Sequence, residues 1–336
     1  MEKGNDINFE YMEKLSTRYL GIDLKSPLIV SSSKLTSTLP HLVKAEENGA
    51  GAVVLKSLFE EQINHYIHQV PSTPGFPEAD DYIANYTRSN SVEEYLNLIR
   101  EAKKNLVILV IPSINCYTSK GWTGFAQKIA DAGADALEVN VFYLPVDRKK
   151  NAADSEKIYF DLIEKLKQAV RIPIALKIGF RFSNILYMID QFYKRGVEGV
   201  VMFNRFYEPD FDVERMEVIP ASVFSEESEK RYVLRWIGMA SAQNLKINIS
   251  ASTGVHSGED AVKYLLAGAD SVQVCSVLYK EGIGYLKTMN SEISAWMDRH
   301  SFTRITDFRG RLNYANYTKP AVFERTQFMK HFSSHE

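Results

Sequence analysis

The chain has 336 residues, 45% of them hydrophobic, and a formal net charge of -2, enough for one large domain with a sizeable core. The near-neutral balance argues against a nucleic-acid partner, and two cysteines, Cys116 and Cys275, supply neither a disulfide framework nor a zinc cluster. The N-terminal MEKGNDINFEYMEKL lacks the apolar stretch of a signal peptide, and runs such as Leu106 to Pro112 are too short to span a bilayer, so a soluble, cytoplasmic protein with no membrane partner is expected.

In chain order, Thr17–Asp23 reads as a short hairpin. Eight buried strands are then expected at Leu28–Ser33, Ala52–Ser57, Val107–Ile114, Ala136–Val141, Ile174–Gly179, Gly199–Asn204, Lys246–Ala251 and Ser271–Ser276. Helical spacing marks Ser91–Lys104, Gly121–Ala132, Glu156–Val170, Ser183–Arg195 and Glu259–Leu266. The same sequence grammar of helix, glycine cap and buried strand recurs at Asn48-Gly49-Ala50-Gly51, Ala132-Gly133-Ala134-Asp135, Arg195-Gly196-Val197-Glu198 and Ala267-Gly268-Ala269-Asp270. This repetition predicts an α/β fold with a parallel sheet, most simply a (β/α)8 TIM barrel. A doubly wound open sheet is the alternative, but no Gly-x-Gly-x-x-Gly follows the first strand. The expectation is a single domain over 1–336, with the barrel at about 20–313 and a tail at 314–336 carrying Tyr314, Tyr317, Phe323, Phe328 and Phe332, expected to pack on the barrel or on a neighbouring subunit.

Three connections are long: Leu58 to Asn90, Phe142 to Ser155, and Arg205 to Lys230. Each follows a strand and precedes a helix, so all three belong to the C-terminal face, where barrels build their active sites. The polar segment YLPVDRKKNAADSEK has the composition of a mobile lid.

Polar residues at the strand ends are therefore the ones to weigh: Ser31, Ser32, Lys56, Ser57, Asn115, Asn140, Lys177, Asn204, Thr253 and Ser276. Lys56 in VVLKS and Lys177 in IALKI stand in strongly apolar strands, where an ammonium needs an anionic partner or a ligand. Snorkelling, or pairing with Glu138, would satisfy one such lysine equally well, but two of them with asparagines on neighbouring strands point to a site. The last two strands end in Ser-Thr-Gly and Cys-Ser, small residues that suit a phosphate site but equally suit helix capping by Thr253, Ser257 or Ser276. Cys116 has no histidine nearby in sequence and reads as a plain thiol. His65 and His68 read as surface histidines, and Glu60-Glu61 and Asp80-Asp81 as solvated loop charge, so no metal is expected. Phe203, Phe206 and Tyr207 would frame a planar ligand or simply pack.

LKS at 55–57, ADALEVN at 134–140, IPIALKI at 172–178, FN at 203–204, TGVHSGEDAVKYLLAGADSVQVCSVLYKEG at 253–282 and the closing ITDFRGRLN together resemble the dihydroorotate dehydrogenases, most closely the soluble FMN-binding catalytic barrels. FNRFYEPDFDVERMEVIP and LRWI resemble the subgroup called dihydroorotate dehydrogenase-like proteins. The resemblance implies FMN as cofactor, pyrimidine biosynthesis as setting, and hydride transfer from a dihydropyrimidine-like substrate to the flavin. It places Ser31 and Ser32 at the flavin, Lys56 and Ser57 beside its ring system, Lys177 at the edge that turns negative on reduction, and Thr253, Gly254, Cys275 and Ser276 on the phosphate loops. Asn140 and Asn204 would line the flavin and, with Asn115, hold the substrate, and Arg205 could grip its carboxylate. A soluble electron acceptor and a homodimer are further family-level expectations.

The departures carry equal information. Where the soluble family has Asn-x-x-Cys-Pro-Asn, with the cysteine as base, this chain has Asn140-Val141-Phe142-Tyr143-Leu144-Pro145. Tyr143 is thus the expected proton-handling group, with Lys56 beside the reacting ring, although a phenol of ordinary pKa near 10 is a poor base unless a neighbouring cation lowers it. SEESEKRYVLRWI replaces the family's glycine-rich loop, and Cys275 stands where a glycine is usual. Two alternatives stay open: a flavoprotein that has lost dihydroorotate turnover, and a flavin-free barrel acting as isomerase or lyase on a phosphorylated metabolite.

Overall fold

The computed structural model describes residues 14–59, 92–116, 123–141, 143–205 and 208–324. A two-stranded hairpin, β1 (Thr17–Tyr19) and β2 (Ile22–Leu24), opens the fold. Parallel strands and helices then alternate: β3 (Leu28–Val30), α1 (Leu39–Glu47), β4 (Ala52–Val54), β5 (Leu58–Phe59), α2 (Val92–Asn105), β6 (Leu109–Ile111), β7 (Ser113–Cys116), α3 (Thr123–Asp131), β8 (Leu137–Val141), α4 (Ala152–Ala169), β9 (Ile174–Ile178), α5 (Ile185–Lys194) and β10 (Gly199–Met202). A second hairpin, β11 (Pro209–Asp212) and β12 (Glu217–Pro220), precedes α6 (Lys230–Ser241), β13 (Asn248–Ser252), α7 (Gly258–Ala267), β14 (Ser271–Val274), α8 (Ser276–Glu281), α9 (Tyr285–Arg299) and α10 (Ala321–Glu324).

The sheet runs β5-β7-β8-β9-β10-β13-β14-β3-β4-β6. Its two ends meet because β6 and β7 are one length of chain interrupted at Pro112, which closes the expected eight-position (β/α)8 barrel. Proline has no N–H for the ladder. The backbone of Ser113 beyond it is held by the Tyr95 hydroxyl of α2, which accepts from Ser113 N at 2.8 Å and donates to its carbonyl at 3.1 Å. Opposite Pro112 the neighbouring strand carries one extra residue. Val54 pairs with Ile111 and Leu58 with Ile114, so three residues, Leu55 to Ser57, face two. That β-bulge was not foreseen from sequence, and it contains Lys56 and Ser57.

Two apolar cores follow from strand alternation. Ile29, Ala52, Val54, Leu109, Ile111, Ala136, Ala175 and Val201 fill the barrel interior, with Tyr19, Leu20 and Leu24 of the first hairpin plugging its base. The outward residues pack beneath the helices in a much larger cluster. Gly268 caps α7 with φ 112°, a left-handed turn that explains the repeated glycine between helix and strand.

The segment expected as a lid is helical from Ala152 onward, because Asn151 Oδ1 accepts from Asp154 N at 2.9 Å and Asn151 N donates in turn to Asp154 Oδ2 at 3.2 Å, a capping box that starts α4 early. The described part of the tail packs on α6: Tyr314 N donates to Gly238 O at 2.9 Å and the Phe323 ring lies over Gly238. His65, His68, Glu60-Glu61, Asp80-Asp81, Phe206, Tyr207, Phe328 and Phe332 lie outside the described residues.

Candidate active site

The C-terminal ends of the strands bring the predicted polar residues together. Asn115, Asn140 and Lys177 stand side by side in register on β7, β8 and β9, so their side chains share one face. Asn204, just past β10, donates from Nδ2 to Asn140 Oδ1 at 2.9 Å, fixing both amides. Lys177 is 8% exposed and donates to Ser31 Oγ at 3.3 Å and Gln273 Oε1 at 3.2 Å. Both direct partners are neutral. Behind them the carboxylate of Glu138 accepts from Gln273 Nε2 at 2.6 Å, so the pairing of lysine with Glu138 weighed from sequence is realised through an amide.

Nine predicted residues line one cleft of about 220 Å³: Ser31, Ser32, Lys177, Asn204, Arg205, Thr253, Gly254, Cys275 and Ser276. Ser57 joins through a hydroxyl chain, Ser32 Oγ to Ser57 Oγ at 3.0 Å and on to Ser113 Oγ at 2.7 Å. Lys56 is half-buried in the bulge next to Ser57. Burial pushes the Cys275 thiol up, against the pull of the Lys177 ammonium and a hydrogen bond with Ser33, so it sits there as a neutral side chain.

The phosphate-loop residues carry the strain of the site. Thr253 has φ 83° and Gly254 φ 71°, a left-handed pair at the end of β13 that is costly for a β-branched residue. The segment that replaces the glycine-rich loop packs directly onto them. Ser225 donates from both N and Oγ to Ser276 Oγ, at 3.0 and 3.1 Å, and the Ser225 carbonyl lies 2.9 Å from His256 Nε2. Lys230, at the start of α6, pairs with the buried Asp260 of α7. Burial pushes that carboxyl up, but Lys230 and the His256 N–H outweigh it and bring it below its ordinary value. Of the three capping candidates, only Ser257 caps a helix, accepting from Asp260 N at 3.2 Å.

Two expectations about single residues change. Arg205 is turned to Glu229, with Nε at 3.2 and 3.0 Å from its two oxygens, and Nη1 donates to the Val223 carbonyl. The cation expected to grip a carboxylate already holds one. Tyr143 lines a separate cleft of about 250 Å³ with Lys150, Glu156, Tyr159 and Arg181, and none of the nine residues above is shared with it. A third cleft, between Phe180, Phe203 and Tyr232, touches the first at Asn204, Arg205 and Thr253. A larger cavity, about 940 Å³, lies at the opposite, N-terminal end of the barrel around Arg18, Asp23, Asp270 and Arg309. Its buried Asp270 is already served by Arg309 and by Ile249 N, so size does not mark the chemistry.

Sequence reasoning missed Gln273, Ser225 and Ser113. Gln273 could have been found, since a glutamine within the apolar SVQVCS is the same signal that singled out the two lysines. Among the described residues no group of three or more His, Cys, Asp or Glu could hold a metal.

The dihydroorotate dehydrogenase family model matches residues 14–297. The chain belongs to that family. Similar proteins include dihydroorotate dehydrogenase B (NAD(+)), catalytic subunit, of Thermoplasma volcanium, 25% identical over 314 residues covering 89% of this chain and 98% of that one. The protein of the same description from Methanocaldococcus jannaschii is 26% identical over 300 residues, covering 86% of this chain and 95% of its own. The chloroplastic dihydropyrimidine dehydrogenase (NADP(+)) of Arabidopsis thaliana is 22% identical over 327 residues, covering 88% of this chain and 76% of its own.

Proposed function

We propose that this chain is an FMN-dependent oxidoreductase that oxidises the ring CH–CH bond of dihydroorotate, or of a closely related dihydropyrimidine, in pyrimidine biosynthesis. The observation that carries the reading is Lys177: a buried ammonium at the floor of a polar cleft, directly contacted by neutral oxygens. Such a cation favours a ligand that gains negative charge during reaction. The rim of the cleft at β13 and β14 also suits a flavin, since its Ser, Thr, Gly and Cys side chains are small enough for a phosphate to come close to the backbone. When bound, the flavin supplies the electron sink; the protein supplies everything else.

In this reading Lys177 stabilises charge at the reducible edge, Ser31, Ser32, Lys56 and Ser57 border the ring system, and Thr253, Gly254, Cys275 and Ser276 hold the phosphate end. Asn140 and Asn204, locked together, present amide groups to a planar substrate, with Asn115 alongside. Arg205 acts indirectly, anchoring the 223–229 segment over the cleft. The reading has the chain working as one domain in the cytoplasm with a soluble electron acceptor; no helix among the described residues is long and apolar enough to cross a membrane.

A second reading is favoured by the position of Tyr143. With the phenol in a separate cleft, the protein would hold FMN yet leave dihydroorotate unoxidised. One anaerobic experiment decides: the purified yellow protein is mixed with dihydroorotate and its visible absorbance followed. Bleaching supports the dehydrogenase, persistent colour supports the second reading, and a colourless protein that takes up no added FMN refutes both.

A further inference from the structure

The chemistry above leaves one buried ionisable group without a task. Glu138 points from β8 into the barrel interior, 1% exposed. Its Oε2 accepts from Gln273 Nε2 at 2.6 Å, and Gln273 Oε1 receives Lys177 Nζ at 3.2 Å and Ser31 Oγ at 3.0 Å. Among the described residues Glu138 Oε1 has no hydrogen-bond partner. Buried carboxylates are normally saturated with donors, and a half-served one stands between its charged and neutral forms. The charged and titratable groups that face it are Lys177 on β9 and the Tyr19 phenol on β1, the latter also lacking a partner among the described residues. Burial lifts the Glu138 carboxyl above its ordinary value, while Lys177 and the Gln273 amide pull it down.

We propose that Glu138 is a redox-linked proton acceptor, taking up one proton when a flavin bound over Lys177 is reduced and releasing it on reoxidation. The inference rests on the flavin reading above. Oxidation of the substrate C–C bond removes two electrons and two hydrogens, one as hydride to the cofactor and one as a proton to solvent. The hydride leaves one added negative charge beside Lys177. That ammonium then faces an anion on each side, the cofactor directly and Glu138 through Gln273. A proton from solvent neutralises the carboxylate, so charge balances: substrate, oxidised flavin and Glu138 carboxylate become product, reduced flavin anion and Glu138 carboxylic acid. Glu138 is a positioning residue, because it acts through Gln273 and Lys177 and touches neither substrate nor flavin.

The test uses the FMN-loaded full chain and its Glu138→Gln variant, which keeps an acceptor for Gln273. The flavin midpoint potential is measured from acid to alkaline pH. One extra proton per two electrons changes the equilibrium tenfold per pH unit, about 29.6 mV. The parent protein is expected to show that additional slope over part of the range. Glu138→Gln should lack it, merging with the parent at the acid end and lying higher at the alkaline end. Reduced-minus-oxidised infrared spectra of the parent, with and without 13C-labelled glutamate, should show a carboxylic-acid C=O band that grows on reduction, a readout that needs no variant. Identical slopes, or no such band, would overturn the proposal while leaving the flavin reading intact. Failure to bind FMN at all would instead overturn the flavin reading.

Discussion

Gly254 gives the sharpest handle on the phosphate end of the cleft. Its φ is 71°, and a Cβ built there would lie 2.7 Å from Lys230 N and 3.2 Å from the Glu226 carbonyl. Both are backbone atoms, so relief requires moving the 226–230 segment rather than turning a side chain. The left-handed conformation costs an alanine about 1–2 kcal/mol, and overpacking adds about 1–3 kcal/mol. Gly254→Ala should therefore destabilise by about 2–5 kcal/mol. For 336 residues the unfolding entropy is about 0.7 kcal/mol/K, so calorimetry should show Tm lower by about 3–7 °C. FMN affinity should fall with it, because the displaced segment carries the Ser225 contacts to Ser276. Gly124 is the control: it is an exposed helical glycine in α3 with nothing within 4 Å of an added Cβ. Gly124→Ala should stabilise by about 0.5–1 kcal/mol. If the two substitutions shift Tm alike, the packing argument at Gly254 is wrong.

Other predictions address the floor and the flank of the site. Lys177→Met removes the buried cation, and stopped-flow reduction by substrate should slow about 10²–10³-fold; an unchanged rate would remove Lys177 from the chemistry. Tyr143→Phe is expected to keep FMN bound with an unaltered spectrum, since the phenol lines the neighbouring cleft; a colourless variant would contradict that placement. Glu138 has a raised folded pKa, so its protonated form contributes stability at low pH that is lost as pH rises from the ordinary carboxylate range through the raised value. Urea unfolding should thus find Glu138→Gln gaining on the parent across that window, by about 1.36 kcal/mol per unit of lift. A difference that is flat with pH would refute the burial argument.

All eight barrel strands were legible in the sequence because a strand buried on both faces reads as an apolar run, and glycine caps mark where four of them begin. Five of the eight end earlier than expected, those at 28, 52, 174, 199 and 271, since residues such as Lys56, Asn204 and Ser276 turn out of the ladder to serve the cleft, whereas β7 and β13 run one or two residues further. The Pro112 interruption was visible as a residue but not as a consequence: only the structure reveals that Tyr95 mends it. The hairpin β11–β12 escaped detection because its apolar residues, Phe211, Met216 and Val218 among them, face solvent and bury nothing that would impose a pattern. Pairings across the barrel, such as Glu138 with Gln273, join residues 135 positions apart and leave no local trace. Tyr143 was placed by alignment to a motif, and its different cleft follows from a connection whose course no motif specifies.

The extra residue between Val54 and Leu58 sets the parity of the site's rim. Before it, even-numbered Ala52 and Val54 face the barrel interior; after it, Leu58 packs outward with Val53 and Leu55. The strand changes phase once, within Lys56 and Ser57. Side-chain identity along this edge is therefore constrained less than residue count. Deleting one residue from 55–57 would restore strict alternation and leave Leu58 outward opposite Ile114, but it would take away the extra residue, so Lys56 or Ser57 would lose its place on the rim. A single-residue change in length would cost the rim one polar side chain while leaving the apolar packing behind it in register.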